Sequence, residues 1–171
     1  MLSRFLIEPI KQSKLESFFK DQYSPVFDLP NTEEIFKNTF ELAFDNEDAK
    51  ATTVIHACYD QVKEKYCAFI NIGTTTQIDD IASLAIEYIF IESDYRTIQF
   101  HELGNMKLSE YLLLDYTIGT IGFSVKEQIG IHVIGLVPVN EKVREIYENM
   151  GFISLPKSGS HENEDWMIFN I

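Results

Sequence analysis

The segment 137–152 constrains the fold more than any other part of the sequence, because it joins a strand end, a capped helix and a glycine exit. Asn140 precedes the helix, where its side-chain oxygen can accept a hydrogen bond from a free backbone N–H, and Gly151 can end it. Between these two residues, apolar side chains recur at the spacing of one helix face: Val143, Ile146, Tyr147 and Met150. The segment therefore predicts an amphipathic helix whose buried face carries a tyrosine.

The rest of the sequence alternates strand-like and helix-like patterns. Runs of β-branched and aromatic residues predict strands at 4–10, 52–59, 66–72, 81–92, 129–139, 151–155 and 166–171. Apolar residues at helical spacing predict further helices at 14–20, 31–43 and 108–121, and the threonine-rich stretch 73–80 predicts a loop. With the helix after Asn140, the order is β-α-α-β-β-β-α-β-α-β-β, which predicts a single domain spanning residues 1–171.

Both the closing segment and the element order resemble the GNAT superfamily of acyl-CoA N-acyltransferases. The spacing Asn-x6-Tyr-x3-Gly-Phe, from Asn140 to Phe152, is similar to the last conserved segment of that family. The resemblance implies an α/β (α+β) fold with a mixed, mostly antiparallel seven-stranded sheet, helices on both faces, and parallel fourth and fifth strands that splay apart. It also implies acetyl-CoA as the acyl donor, with its pantetheine arm paired to the fourth strand near Ile89 and Ile91 and held in part by Asn140.

The phosphate-binding signature of the family, Gln/Arg-x-x-Gly-x-Gly/Ala, is degenerate after the fourth strand. One alignment starts at Arg96 and has no glycine at either glycine position. The other starts at His101 and is preferred, because it places Gly104 directly before the next helix. Backbone N–H groups of this loop are expected to bind the pyrophosphate, and Met106 is expected to crowd it. The predicted cofactor-binding residues of the loop are His101, Gly104, Asn105, Met106 and Lys107.

Acyl transfer from a thioester to an amine needs a base for the amine, a donor for the oxyanion and an acid for the leaving thiolate. The resemblance implies that Tyr147 is the acid and that a backbone N–H near Ile91 is the oxyanion donor. Glu87 is predicted as the base, because it precedes Ile91 by four residues on one strand and so shares its face, pointing into the cleft. Glu92 and His132 are weaker candidates for that role.

Two alternatives to this enzyme remain open in the sequence. Cys58 and Cys67 are expected to be reduced and packed, although a cysteine nucleophile near His56 is a rival mechanism. Because the phosphate loop is degenerate, the chain could also be a non-catalytic GNAT-like module that binds CoA or a protein partner without turnover. The scattered histidines and the two cysteines predict no metal site.

Charge and hydropathy predict the partners and the location. The chain has 27 acidic and 14 basic residues and a net charge of −13, which repels phosphate backbones. We therefore expect a small-molecule or peptide amine as the acceptor and no nucleic-acid partner, and a tRNA-acetylating enzyme of the same fold is disfavoured. The sequence has no membrane-spanning apolar run and no signal-peptide core, so a cytoplasmic protein with no membrane partner is expected. A homodimer is left open.

Overall fold

The computed structural model describes residues 4–10, 14, 53–156 and 165–171. One sheet contains the strands β1 (Phe5–Pro9), β2 (Thr53–Asp60), β3 (Lys65–Ile78), β4 (Ile81–Ile91), β7 (Val133–Leu136), β8 (Ile153–Ser154) and β9 (Met167–Asn170). Two short strands, β5 (Gln99–Phe100) and β6 (Met106–Lys107), form a separate ribbon. The predicted helices at 14–20 and 31–43 lie outside the described residues, apart from residue 14.

The seven strands of the sheet follow the order β1-β2-β3-β4-β7-β9-β8. All neighbouring strands are antiparallel except β4 and β7, which are parallel. The predicted mixed, mostly antiparallel sheet with one parallel pair is therefore confirmed. That one domain spans the whole chain stays a prediction.

The threonine-rich stretch 73–80 is mostly strand, and its prediction as a loop was wrong. Strand β3 continues to Ile78, and the turn to β4 consists of Asp79 and Asp80, whose φ angles are 51° and 57°. Threonine is β-branched and fits a pleated strand, whereas aspartate tolerates the left-handed backbone that a tight hairpin turn requires. The β3–β4 hairpin is accordingly longer than the sequence pattern indicated.

Two helices are described. Helix α1 is continuous over 108–129 and contains a π-helical stretch, Tyr111–Gly122. It ends at Gly130, whose φ is 74°, so the strand predicted from residue 129 begins only at Val133. Helix α2 (Glu141–Asn149) follows the Asn140 cap as predicted. No helix among the described residues is long and apolar enough to cross a bilayer.

Both faces of the sheet are buried. On one face, Ile70, Ile86 and Ile134 belong to the main core cluster, against which α1 and the tyrosine of α2 pack. On the other face, Ile55 and Phe69 are also excluded from solvent. The buried strand residues are therefore in the two-sided environment that near-continuous apolar strands require.

A register shift in β4 positions the site. Asn71 of β3 pairs with Tyr88, but the next residue, Ile72, pairs with Ile86, so Glu87 is the extra residue of a β-bulge. The parallel pairing of β4 with β7 extends only from Leu84 to Ile86. Beyond the bulge the two strands part, as the sequence resemblance implied, and the edge of β4 is left without a strand partner.

Candidate functional site

A cavity of about 320 Å³ lies where β4 separates from β7. Residues 88–91 of β4 form one wall, and Tyr147 and Met150 of α2 contribute to another. Arg96 and Ser109, from the segment after β4 and from the first turn of α1, also line it. The cavity thus combines a free strand edge, a tyrosine, a cation and a helix N-terminus.

Tyr147 lies in the cavity because the apolar stripe of α2 turns toward the sheet. Its ring is 5.9 Å from that of Phe152, measured between centroids. Burial raises the pKa of the Tyr147 hydroxyl, which therefore remains protonated at neutral pH. Within the part of the chain that the structure describes, this hydroxyl makes no hydrogen bond, so it is free to donate one to a ligand.

Asn140 caps α2 as predicted. Its Oδ1 accepts a hydrogen bond from the backbone N–H of Val143 at 3.0 Å. The residue does not line the cavity. Its role in the structure is to fix the start of the helix that carries Tyr147, and its contact with a cofactor stays a prediction.

The backbone of Ile89 and Ile91 faces the opening. In β4, the N–H of Glu92 donates to the carbonyl of Cys67 on β3. Because bonded and non-bonded residues alternate in an antiparallel ladder, Ile89 and Ile91 direct their own N–H and C=O groups away from β3. Both residues line the cavity, as predicted. One of these groups is already used, because Nε of Arg96 donates to the Ile91 carbonyl at 2.8 Å.

The loop at 101–107 does not form the predicted phosphate nest. Phe100 pairs with Met106, and the N–H of Asn105 donates to the carbonyl of Phe100, so the loop closes on itself as a small ribbon. Gly104 and Asn105 make its turn, with φ angles of 69° and 65°. No residue from His101 to Lys107 lines the cavity.

A carboxylate of the chain also occupies one predicted anion donor. The backbone N–H of Lys107, directly before α1, donates to Glu110 at 2.8 Å. The alignment that starts at His101 was preferred, but it is Arg96, from the other alignment, that lines the cavity. The expectation that Met106 crowds the site was also wrong, because its side chain packs against the core cluster.

The argument that placed Glu87 on the face of Ile91 was wrong. Strand parity holds only in regular pairing, and the bulge at Glu87 shifts it by one residue. Tyr88 consequently stacks on Phe69, on the face away from the main cluster, and Glu87 is exposed instead of buried in an apolar strand. Its role as a base stays a prediction.

The rival chemistry of cysteine and histidine finds no support in the geometry. Cys58 and Cys67 are buried, free and 3.9 Å apart between sulfur atoms, and the hydrogen bond with Cys67, together with burial, raises the pKa of Cys58. His56 bonds instead to the hydroxyl of Tyr116, with 2.6 Å between Nδ1 and Oη, and burial lowers its pKa to about 4. The described ranges contain no group of three His, Cys, Asp or Glu side chains that could hold a metal.

The sequence reasoning missed three features of the site. Arg96 was considered and set aside because its alignment lacks glycines. Ser109 gave a usable signal, since a polar residue in the first turn of a helix lies beside free N–H groups. Tyr88 gave none, because its position depends on the bulge.

Comparison with known proteins establishes the fold but gives no close relative. No protein-family model and no curated protein matches the sequence. Among solved structures, AtaTR bound with acetyl-CoA is 17% identical and has a TM-score of 0.63, over 99% of this chain and 94% of that one. AtaT complexed with acetyl-methionyl-tRNA is 16% identical, with a TM-score of 0.63 over 97% and 94%. The KacTA–DNA complex is 14% identical, with a TM-score of 0.61 over 97% and 92%.

These neighbours correct one prediction. Complexes with tRNA and with DNA contradict the expectations of no nucleic-acid partner and of a small-molecule or peptide amine as the acceptor. A net charge is a sum over the whole surface, whereas nucleic acid responds to the local charge where it binds. The value of −13 could therefore not exclude nucleic acid for this fold.

Proposed function

We propose that this chain, which has the fold of the GNAT superfamily, transfers the acetyl group of acetyl-CoA to the α-amine of an aminoacyl-tRNA. The observation that carries the proposal is the Tyr147 hydroxyl, which lies in the cavity beside the free edge of β4. Neighbours of the same fold bound with acetyl-CoA and with acetyl-methionyl-tRNA support the choice of donor and acceptor.

The cavity suits the donor. Backbone groups of Ile89 and Ile91 are available to pair with the amides of the pantetheine arm, as a further strand would. Arg96 and the first turn of α1 at Ser109 offer positive charge and free N–H groups, which suit a pyrophosphate. We assign the phosphate contacts to these two residues. Contacts from Asn140 and from the 101–107 ribbon, predicted from the sequence, remain to be tested.

Acetyl-CoA supplies an activated acyl group, and the residues of the chain position it and move protons. The amine nitrogen of the acceptor attacks the thioester carbonyl, the new C–N bond forms and the C–S bond breaks. Tyr147 donates its hydroxyl proton to the departing thiolate. Glu87, exposed at the bulge, is proposed to take the proton that the amine loses, through a water molecule. The two transfers leave one tyrosinate and one carboxylic acid, which solvent resets.

An acidic protein can accept this acceptor, because only the aminoacyl end of a tRNA needs to enter the cavity. The groups near its mouth include Arg96, and Lys107 and Lys142 lie at the starts of α1 and α2. The overall charge of −13 still opposes broad contact with the tRNA body. We therefore expect a small contact with phosphates and a correspondingly shallow dependence of affinity on salt.

Two contacts favour the second candidate, a GNAT-like module that binds without turnover. Arg96 occupies the Ile91 carbonyl, and Glu110 occupies the N–H of Lys107. Both contacts compete with groups that a CoA molecule would use. In this alternative the cleft accommodates a protein partner, as in the structures of AtaT bound to the C-terminus of the antitoxin AtaR.

A transfer assay separates the two candidates. Radiolabelled acetyl-CoA is incubated with charged methionyl-tRNA, with deacylated tRNA as the control, and acetyl-methionine is measured after hydrolysis of the ester. Label on the charged tRNA alone supports the enzyme. Micromolar binding of acetyl-CoA by calorimetry without any transfer leaves the non-catalytic module, and no heat at millimolar acetyl-CoA excludes the proposed donor.

A further inference from the structure

A buried amide without partners lies at the bulge that opens the cavity. The side chain of Asn71 is fully buried, and neither its Nδ2 nor its Oδ1 has a hydrogen-bond partner. A buried amide that gives up its bonds to water and gains none in exchange destabilises the folded protein. An unsatisfied group of this kind needs an explanation.

The surroundings of Asn71 make its polarity unnecessary for packing. Its cross-strand neighbours are Ile55 on β2 and Tyr88 on β4. Phe69, two residues earlier on the same strand face, is buried and stacks on Tyr88, with centroids 5.7 Å apart. A leucine of similar volume would fill this apolar site without the cost of an unsatisfied amide.

The position of Asn71 relates it to the acceptor side of the cavity. Tyr88 is its direct neighbour across the hairpin and lines the cavity. The register shift that follows Asn71 is the one that leaves Glu87 as the extra residue of the bulge. The amide therefore lies one strand away from the opening, beside the residue that we propose as the base.

We propose that Asn71 binds the aminoacyl group of the acceptor. This rests on the proposed function, of which it specifies the acceptor contact. Oδ1 accepts a hydrogen bond from the acceptor amine, and Nδ2 donates one to the acyl carbonyl beside that amine. A primary amide offers this donor and acceptor pair, whereas a hydroxyl or a carboxylate at the same place would not match both groups. The path from the cavity passes the Tyr88 ring.

The test compares Asn71→Leu with Thr53→Val. Thr53 is a matched control, because its hydroxyl is also buried without a partner and lies on the same sheet face, two residues along from Ile55 on β2. Both substitutions are expected to leave the melting temperature unchanged or to raise it by a few degrees, because each removes an unsatisfied group. A lower melting temperature for Asn71→Leu alone overturns the inference, since the amide would then have a structural partner.

The second measurement is acceptor binding without turnover. The probe is 3′-methionylamino-adenosine, an amide-linked analogue of the end of a charged tRNA, titrated in the presence of CoA. We expect Asn71→Leu to weaken its binding about tenfold or more, with Thr53→Val unchanged and acetyl-CoA affinity unchanged in both. Equal affinities for wild type and Asn71→Leu, or no binding of the probe to the wild type, overturn the inference. If the probe binds but no acetyl group is transferred, the proposed function fails and the Asn71 contact stands.

Discussion

Nε of Arg96 donates to the carbonyl oxygen of Ile91 at 2.8 Å and so holds an exposed arginine at the end of the free strand edge. The guanidinium carbon is also 6.0 Å from the centre of the Phe90 ring. These two contacts fix the side chain beside the cavity and leave its terminal nitrogens available. The arginine therefore both caps one strand carbonyl and presents a positive charge to a ligand.

We predict that Arg96→Gln weakens acetyl-CoA binding by roughly 10- to 100-fold, the worth of a hydrogen bond to a charged group. The binding of acetyl-pantetheine, which has no phosphates, should change little because glutamine can still donate to the Ile91 carbonyl. Calorimetric titration of both ligands measures the difference. Equal weakening of the two ligands would mean that Arg96 supports the strand and does not bind phosphate.

We predict that Tyr147→Phe lowers turnover by roughly 10- to 1000-fold, within or just below the usual worth of general acid catalysis. The ring and its packing against Phe152 remain, so acetyl-CoA affinity should change little. Tyr111→Phe, on α1 and away from the cavity lining, is the matched control and should retain full activity. An unchanged rate for Tyr147→Phe would remove this hydroxyl from the chemistry.

If Glu87 takes the proton of the amine, Glu87→Gln should lower kcat by roughly 100-fold or more while leaving the KM for acetyl-CoA unchanged. The acid limb of the pH–rate profile should also disappear, because a glutamine cannot titrate. The comparison with Glu92→Gln tests the weaker candidate on the same strand end. A normal profile for Glu87→Gln would leave the bulge without a base.

Glu110→Gln should tighten acetyl-CoA binding. The carboxylate accepts from the N–H of Lys107 beside the first turn of α1, where it repels phosphate, and a glutamine keeps the acceptor without the charge. We expect a gain of about threefold or more at low salt, since a helix-terminal charge is worth up to about 1 kcal/mol. Met106→Ala should leave the affinity unchanged, because Met106 does not line the cavity. Weaker binding in Glu110→Gln would show that the cap itself organises the site.

Acid should destabilise the protein through His56. Burial lowers its pKa from 6.5 to about 4, so between these values the unfolded chain binds a proton that the folded protein does not. Stability is therefore present above pH 6.5 and is lost as the pH falls to about 4, by at most about 3 kcal/mol. Denaturant unfolding at several pH values measures the slope, which His56→Gln should flatten.

Asp60 acts in a separate, lower window. Burial alone would raise its pKa, but hydrogen bonds from Arg4, Tyr95 and the backbone lower it to about 2. Its stabilisation is lost only as the pH falls from 3.8 toward 2, so it does not interfere with the measurement on His56. A slope that persists between pH 6.5 and 4 in His56→Gln would assign the effect to another group.

The sequence alone determined the features that depend on neighbours along the chain. The cap at Asn140, the exit at Gly151 and the stripe that carries Tyr147 are set by contacts within one helix and the residues beside it. The strand order of the sheet followed from the succession of elements once a family resemblance was recognised. These parts were predictable because local hydrogen bonds and periodicity leave their trace in consecutive residues.

Only the tertiary structure decided the chemistry-bearing details of the cleft. The bulge at Glu87 arises from the mismatch between β3 and β4, which no single strand records, and it moved Glu87 off the face of Ile91. The closure of the 101–107 loop depends on Phe100 pairing with Met106, and the isolation of Asn71 depends on three strands together. Register and burial are set by partners distant in sequence, and a one-residue shift reverses which side chains face the cleft.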